Sequence, residues 1–271
     1  MPVIQKMSAR NAAFQRFETV KRNREKRAKQ KVFFVEGVHP IEQAVRFGWE
    51  FEALGYAAGA RLSGWANDMR RKARAGVEYQ IAPALMEELS EREESCELIA
   101  LVKQRGDGLA RMEKAQGAPL YTLFDRPQNP DNLGTVIRSA DAFRAAGLIT
   151  TGHSADFYDP QCVRASIGTL FALPFAAMAS AEEVLAWLDT LPERPRIVGT
   201  SAHAVKRIDQ VDLTGPTLLL IGNETFGLSK AWKEACDELA LIPIHGAASS
   251  LNAGSAASIC LYEAARQRQG D

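Results

Sequence analysis

From Leu120 onward the chain alternates short apolar runs with stretches of helical period, and that alternation leaves few folds open. Leu120–Phe124, Leu148–Thr151, Arg196–Thr200, Thr217–Ile221 and Leu239–Ile244 are short and rich in strand-type side chains. Leu133–Ala146, Ala181–Thr190, Leu228–Asp237 and Asn252–Gln267 read as helices. In the first of these, Leu133, Val136, Ile137, Ala140 and Phe143 form one apolar stripe, and Gly147 supplies a stop. Strands separated by helices pair in parallel, and a parallel sheet is covered on both faces. The predicted class is therefore α/β, with a mainly parallel C-terminal sheet flanked by helices. In such sheets the loops beyond the carboxyl ends of the strands carry the chemistry.

The first hundred residues have a different texture. Val32–Val35, Phe51–Ala57, Val77–Ile81 and Leu98–Val102 read as strands, separated by helical stretches at 39–47, 64–74 and 84–90. They predict a smaller N-terminal α/β domain over residues 1–105. Glycines 106, 108 and 117 in a polar stretch mark 106–118 as a linker, and 119–271 is the second domain. The net charge of zero hides an asymmetry. Residues 1–31 hold ten basic side chains against Glu18 and Glu25, a formal +8 balanced by −8 elsewhere. This block reads as a basic helix, either a solvated face or a polyphosphate contact whose binding would depend on salt. Phe14 and Phe17, at helical spacing within it, are expected to dock it onto the body.

Several classes are excluded. No apolar run approaches the ~20 residues of a membrane helix, and Met1–Arg10 has no apolar secretory core. Cys96, Cys162, Cys236 and Cys260 are widely spaced, as reduced structural thiols of a cytoplasmic protein would be. The histidines are scattered too, so no metal site is expected.

Three loops stand out. Residues 125–134, with two prolines, lead into a helix that Asp131 or Asn132 could cap, and Arg138 follows on that helix. Residues 222–227, GNETFG, lie between a strand and a helix. They are neither a Walker A loop nor a dinucleotide fingerprint, though the flanking glycines allow close backbone approach. Residues 242–252 precede a helix of very small residues, Ala253 to Ser258, which can pack tightly on another element or approach a ligand.

Together, NPDNLGTVIR (129–138), IGNETFGLS (221–229) and IPIHGAASSLN (242–252) followed by AASICLYEAARQR (256–268) resemble the three motifs of the SpoU, or TrmH-type, branch of the SPOUT RNA methyltransferases. RASIGTLFALPF (164–175) resembles a further stretch of that family. Phe34-Val35-Glu36-Gly37 is similar to its ribosomal-protein-like substrate-binding domain. Two departures are visible: Thr225 stands where glycine is common, and Ala253-Gly254-Ser255 where Val-Ser-Val is usual. The resemblance implies a trefoil-knotted homodimer that moves a methyl group from S-adenosylmethionine to a ribose 2′-hydroxyl of structured RNA, ribosomal RNA before transfer RNA. A non-catalytic RNA-binding or ribosome-assembly protein of the same fold is the alternative. On this sequence the resemblance places Thr200, Gly222, Asn223, Gly227, Ile242 and Leu251 at the cofactor. It places Arg138, Asn132, Glu224, Ser250 and Asn252 around the acceptor ribose, without a metal. It also gives weight to Arg22, Arg24, Lys26 and Arg27 as RNA contacts.

Overall fold

Strand and helix alternate along the whole chain in a computed structural model that describes residues 2–90 and 96–268. In order the elements are β1 (Val3–Met7), α1 (Ala12–Arg22), α2 (Arg24–Gln30), β2 (Val32–Glu36), α3 (Val38–Arg46), β3 (Phe51–Ala57), α4 (Gly64–Ala73), β4 (Val77–Ile81), α5 (Pro83–Leu89) and β5 (Ile99–Lys103). Then come α6 (Gly108–Met112), β6 (Leu120–Asp125), α7 (Pro130–Ala142), β7 (Gly147–Thr151), α8 (Pro160–Ala165), β8 (Phe175–Met178), α9 (Ala181–Leu188) and β9 (Arg196–Thr200). The chain ends with β10 (Lys206–Arg207), β11 (Thr217–Ile221), α10 (Lys230–Ala235), β12 (Glu238–Leu241) and α11 (Ala253–Arg268).

These elements form two compact units. One runs to Arg105 and includes Asp156–Ala172; the other joins Gly106–Ala155 to the residues from Leu173 onward. The second is the α/β body that the sequence predicts. Its seven strands lie in the order β10-β12-β9-β11-β6-β7-β8, and every pairing is parallel. Side chains alternate across the sheet with period two. Tyr121, Leu123, Ile149, Ile197, Leu218 and Leu220 share a core with α9, Leu228 and Trp232. The alternate residues Leu120, Phe124, Leu148, Val198, Leu219 and Ile221 are equally buried, and α7 and α11 pack on β7 and β11. Burial on both faces is why these strands read as continuous apolar runs. The carboxyl ends of β12, β9, β11 and β6 stand side by side at Leu241, Thr200, Ile221 and Asp125.

The first unit is a five-stranded mixed sheet in the order β1-β4-β3-β5-β2. Residues 1–31 are not one basic helix. Val3–Met7 pair in parallel with β4 as an edge strand, and two helices follow, each started by an asparagine cap. Phe14 and Phe17 lie in the core of this unit, as their helical spacing predicts, and Val20 lies there with them.

Two boundaries differ from expectation. The linker at 106–118 contains α6, whose Met112 is fully buried in the core of the second unit. Residues 156–172, expected within the second domain, pack in the first. Phe171 stacks on Phe33 at 6.0 Å and accepts a hydrogen bond at its carbonyl from Trp49 Nε1 at 2.9 Å. Arg27, 2% exposed, reaches Asp156 at 2.9 Å and Asp159 at 3.0 Å. A buried guanidinium needs such partners, since an unpaired charge is too costly to desolvate.

Candidate active site

Helix α7 begins three residues earlier than its apolar stripe suggests, because neither Asp131 nor Asn132 is the cap. Asn129 is: its Oδ1 accepts from Asp131 N at 2.7 Å and Asn132 N at 3.1 Å, and Pro130 follows with its φ already helical. Arg144, at φ +56°, takes the left-handed turn expected at Gly147, which instead opens β7. The earlier start leaves the Asn132 side chain free for a different task.

That task is to join the three loops. At the start of α11, Asn252 Oδ1 accepts from Gly254 N at 2.9 Å and Ser255 N at 3.3 Å, which is an N-cap. With its oxygen committed there, its amide can only donate outward, and it donates to Asn132 Oδ1 at 2.9 Å. Asn132 must then turn its own amide away, toward Glu224 Oε1 at 3.1 Å. The second carboxylate oxygen of Glu224 accepts from Gln128 N at 3.4 Å. One directed chain of hydrogen bonds therefore runs from a helix N-terminus through two asparagines to a carboxylate, across residues 92 and 120 apart in sequence.

The middle loop is rigid. Asn223 and Gly227 exchange two backbone hydrogen bonds of 3.0 Å, and Gly227 has φ +66°. Asn223 Oδ1 accepts from Thr225 N and Phe226 N, and its Nδ2 donates to Arg126 O at 2.7 Å. A Cβ on Gly222 would stand 2.6 Å from the Gly227 carbonyl carbon, so only glycine fits. Asp125 anchors this assembly from below. It is 1% exposed and accepts from Arg126, from Thr151 Oγ1 at 3.1 Å and from Ser229 N at 2.7 Å. Sequence reasoning missed this residue; its one signal is a carboxylate closing an otherwise apolar strand.

The small residues of α11 serve helix packing. Thr135 meets Gly254, where an added Cβ would lie 2.8 Å from Thr135 Cγ2. Ser139 Oγ lies 2.7 Å from Ser258 Oγ, and Phe143 meets Tyr262 edge-on at 5.9 Å. Steps of four on both helices keep one face of each together, so α7 and α11 run side by side in parallel. Arg138 lies on the exposed side of α7, with no ion pair among the described residues.

The residues expected at the cofactor fall into three groups. Thr200, Gly222 and Ile242 sit at or one residue beyond the ends of the neighbouring strands β9, β11 and β12, with Thr200 Oγ1 donating to Leu220 O at 2.9 Å. Asn223 and Gly227 form the neck of the rigid loop. Leu251 is 38% exposed and Ser250 is exposed; Ser250 has no side-chain hydrogen bond among the described residues. Ile242, Pro243 and Ile244 are half-buried, yet no backbone group from Ile242 to Leu251 bonds to another backbone group among the described residues. Main-chain groups that are not engaged by other backbone groups suit a ligand held by main-chain contacts, and these positions fit S-adenosylmethionine in that way.

Of the four residues weighed as RNA contacts, Arg22, Arg24 and Lys26 are exposed, and Arg22 is 3.3 Å from Glu18. Arg27 is not available: it is buried, and each of its three guanidinium nitrogens already donates, to Asp156, to Asp159 and to the carbonyls of Val20 and Lys21. Lys21, counted in the same basic block, is buried against Leu89 O. Among the described residues the four cysteines form no disulfide, and no group of three or more His, Cys, Asp or Glu side chains is placed to hold a metal. Burial pushes the Cys236 thiol up to about 11 and the Cys260 thiol up to about 12. No helix among the described residues is long and apolar enough to cross a membrane.

A parallel α/β unit whose carboxyl edge gathers three sequence-distant loops into one hydrogen-bonded site is built as ligand-binding α/β proteins are, with the ligand beyond the strand ends. The chain belongs to the SpoU rRNA Methylase family, whose pattern matches residues 119–262, and residues 11–100 match the SpoU L30e-like domain. It is 44% identical over 271 residues to the 23S rRNA (uridine(2479)-2′-O)-methyltransferase of Streptomyces viridochromogenes, covering 98% of this chain and 94% of that protein. The crystal structure of the SpoU methyltransferase AviRb from the same organism, in complex with the cofactor AdoMet, superposes with a TM-score of 0.91 at 45% identity, covering 96% and 99% of the two chains. An AdoMet-bound rRNA methyltransferase from Sinorhizobium meliloti gives 0.86 at 27% identity, covering 97% and 98%.

Proposed function

We propose that this chain methylates a ribose 2′-hydroxyl of large-subunit ribosomal RNA, with S-adenosylmethionine as donor, working as a cytoplasmic homodimer. The observation that carries the reading is the directed chain Glu224–Asn132–Asn252, which fixes all three loops around one point on the carboxyl edge of the sheet. The similarity to a 23S rRNA enzyme along nearly the full chain favours ribosomal over transfer RNA. A second copy has a surface to cover: Ile259 and Tyr262 of α11 are 39% and 56% exposed.

Bound S-adenosylmethionine supplies an electrophilic methyl group on a sulfonium, so the transfer needs no metal. The main chain of 242–244, with Thr200, Gly222, Gly227 and Leu251, would hold it. The protein's remaining task is the acceptor, because a ribose hydroxyl loses its proton far above neutral pH. Asn132 and Glu224 set the shape of the acceptor pocket and hold α7 in register with α11. A guanidinium is a poor proton acceptor, so the role proposed for Arg138 is electrostatic. Arg138 grips a neighbouring phosphate in two-point fashion and stabilises the oxyanion as the proton leaves to phosphate or water.

Ribose methylation blocks alkaline cleavage. Mapping alkali-resistant positions in large-subunit rRNA from cells with and without the gene is therefore the direct test, and one new protected ribose is expected. No change in ribosomal RNA, with a protected position in transfer RNA instead, would overturn the substrate assignment. Arg138→Lys is expected to cut kcat by about a hundredfold, since a point charge cannot reproduce the two-point grip; near-normal turnover would sink the role given to Arg138.

A further inference from the structure

Five large apolar side chains are exposed in the second unit among the described residues, and three of them lie on the three loops that leave the neighbouring strands β9, β11 and β12. They are Val205, Phe226 and Leu251, exposed by 98%, 75% and 38%. Phe226 is the aromatic one. It is not on a floppy tip: its own amide is held by Asn223 Oδ1 at 3.1 Å, and the loop neck is closed by the Asn223–Gly227 pair. Its ring has no aromatic or cationic partner among the described residues. It stands two residues from Glu224, the carboxylate at the end of the directed chain.

From this geometry we infer that Phe226 is a stacking platform for a nucleobase beside the acceptor ribose. The inference rests on the RNA methyltransferase reading above. The chemistry of the loop selects the base rather than the backbone. Between Asn223 and Gly227 there is a carboxylate and no cation, so a phosphate is disfavoured there. A neutral base presents a π-face that an exposed phenyl ring can cover. Proteins read single-stranded RNA by splaying bases onto aromatic rings, and each such stack is tolerant of base identity. A base held on Phe226 would fix the sugar that carries it, the positioning problem a ribose methyltransferase has to solve.

The experiment compares wild type with Phe226→Ala, Phe226→Leu and Phe226→Trp, using transcribed 23S rRNA and S-adenosylmethionine carrying a labelled methyl group. Phe226→Ala and Phe226→Leu are expected to lower kcat/KM for RNA by about five- to a hundredfold, the range of one base–aromatic stack, while calorimetric affinity for S-adenosylmethionine stays at the wild-type value. Phe226→Trp is expected to keep wild-type kcat/KM, and its added fluorescence is expected to be quenched by RNA. Wild-type kinetics in Phe226→Leu would overturn the proposal, since apolar cover alone would then suffice. So would a Phe226→Ala protein whose mass in light scattering changes while its KM for RNA does not, which would assign the ring to a contact between copies. A wild-type protein that labels no RNA would remove the functional reading itself, and is told apart by that control.

Discussion

Replacing Gly222 by alanine separates the loop geometry from the rest of the fold. The new Cβ would stand 2.6 Å from the Gly227 carbonyl carbon, 2.7 Å from Leu228 N and 2.8 Å from Gly227 Cα. Carbon atoms rest at about 3.5–4 Å, so the two sides of the loop must part by most of an ångström. All three neighbours are backbone, and the Asn223–Gly227 hydrogen bonds hold them in place. No side chain can rotate away. Overpacking of this kind costs about 1–3 kcal/mol, which lowers the melting temperature of a unit this size by about 5 °C. Wild type at a hundred times the Kd of S-adenosylmethionine should gain about 2.7 kcal/mol of stability. The variant is expected to lose most of that gain, because the displaced backbone is the part proposed to hold the ligand. Gly246→Ala is the control in the next loop: nothing lies within 4 Å of its Cβ, so the protein should melt at or slightly above the wild-type temperature. Thermal scans with and without S-adenosylmethionine read both effects. A Gly222→Ala protein that melts with wild type and keeps the full ligand shift would refute the reasoning.

Other substitutions test other parts of the molecule. Asn132→Asp removes the donor to Glu224 and sets two carboxylates together, so it should abolish most methyl transfer while far-ultraviolet circular dichroism stays unchanged; an active Asn132→Asp enzyme would mean that the directed chain is incidental. Arg27→Ala strands Asp156 and Asp159 and should destabilise the first unit by about 3 kcal/mol in urea. Lys26→Ala should leave the urea midpoint alone and flatten the salt dependence of RNA binding by about one phosphate, a slope change near ~0.7–0.9. The reverse pattern would restore Arg27 as an RNA contact. Cys260 holds its proton to about pH 12 when folded but releases it from about 9 when unfolded. A raised folded value means that stability is intact below pH 9 and falls above it, by up to about 1.4 kcal/mol per pH unit, until about 12. Cys260→Ala should soften that alkaline slope, and an identical slope would assign it elsewhere.

The buried strands were the most legible part of the chain. Arg196–Thr200 and Thr217–Ile221 begin and end where their apolar runs do, because both faces are covered and nothing competes with the pattern. The site loops were legible as places, through glycine, proline and asparagine, but their wiring was not. Which asparagine caps α7 turns on a rival three residues upstream, and the link from Asn132 to Asn252 spans 120 residues. β1 went unread because Val3-Ile4-Gln5-Lys6-Met7 is an edge strand with four exposed positions and no inward alternation to reveal it. Arg27 looked like its basic neighbours because its partners, Asp156 and Asp159, stand about 130 positions away. Local composition predicts a charge; only tertiary structure shows whether that charge is spent.

The excursion of Asp156–Ala172 has a practical consequence. The polypeptide passes from one unit to the other three times, near positions 105, 155 and 172. No single cut therefore yields two self-sufficient halves. A fragment starting at residue 119 would carry Phe171 and the two aspartates with nothing to receive them, and the piece left behind would keep Arg27 with its charge unanswered. Gene fusion or recombination that swaps the first unit of such an enzyme would have to exchange an interior stretch along with the leading one, so the two parts are expected to be inherited as a pair.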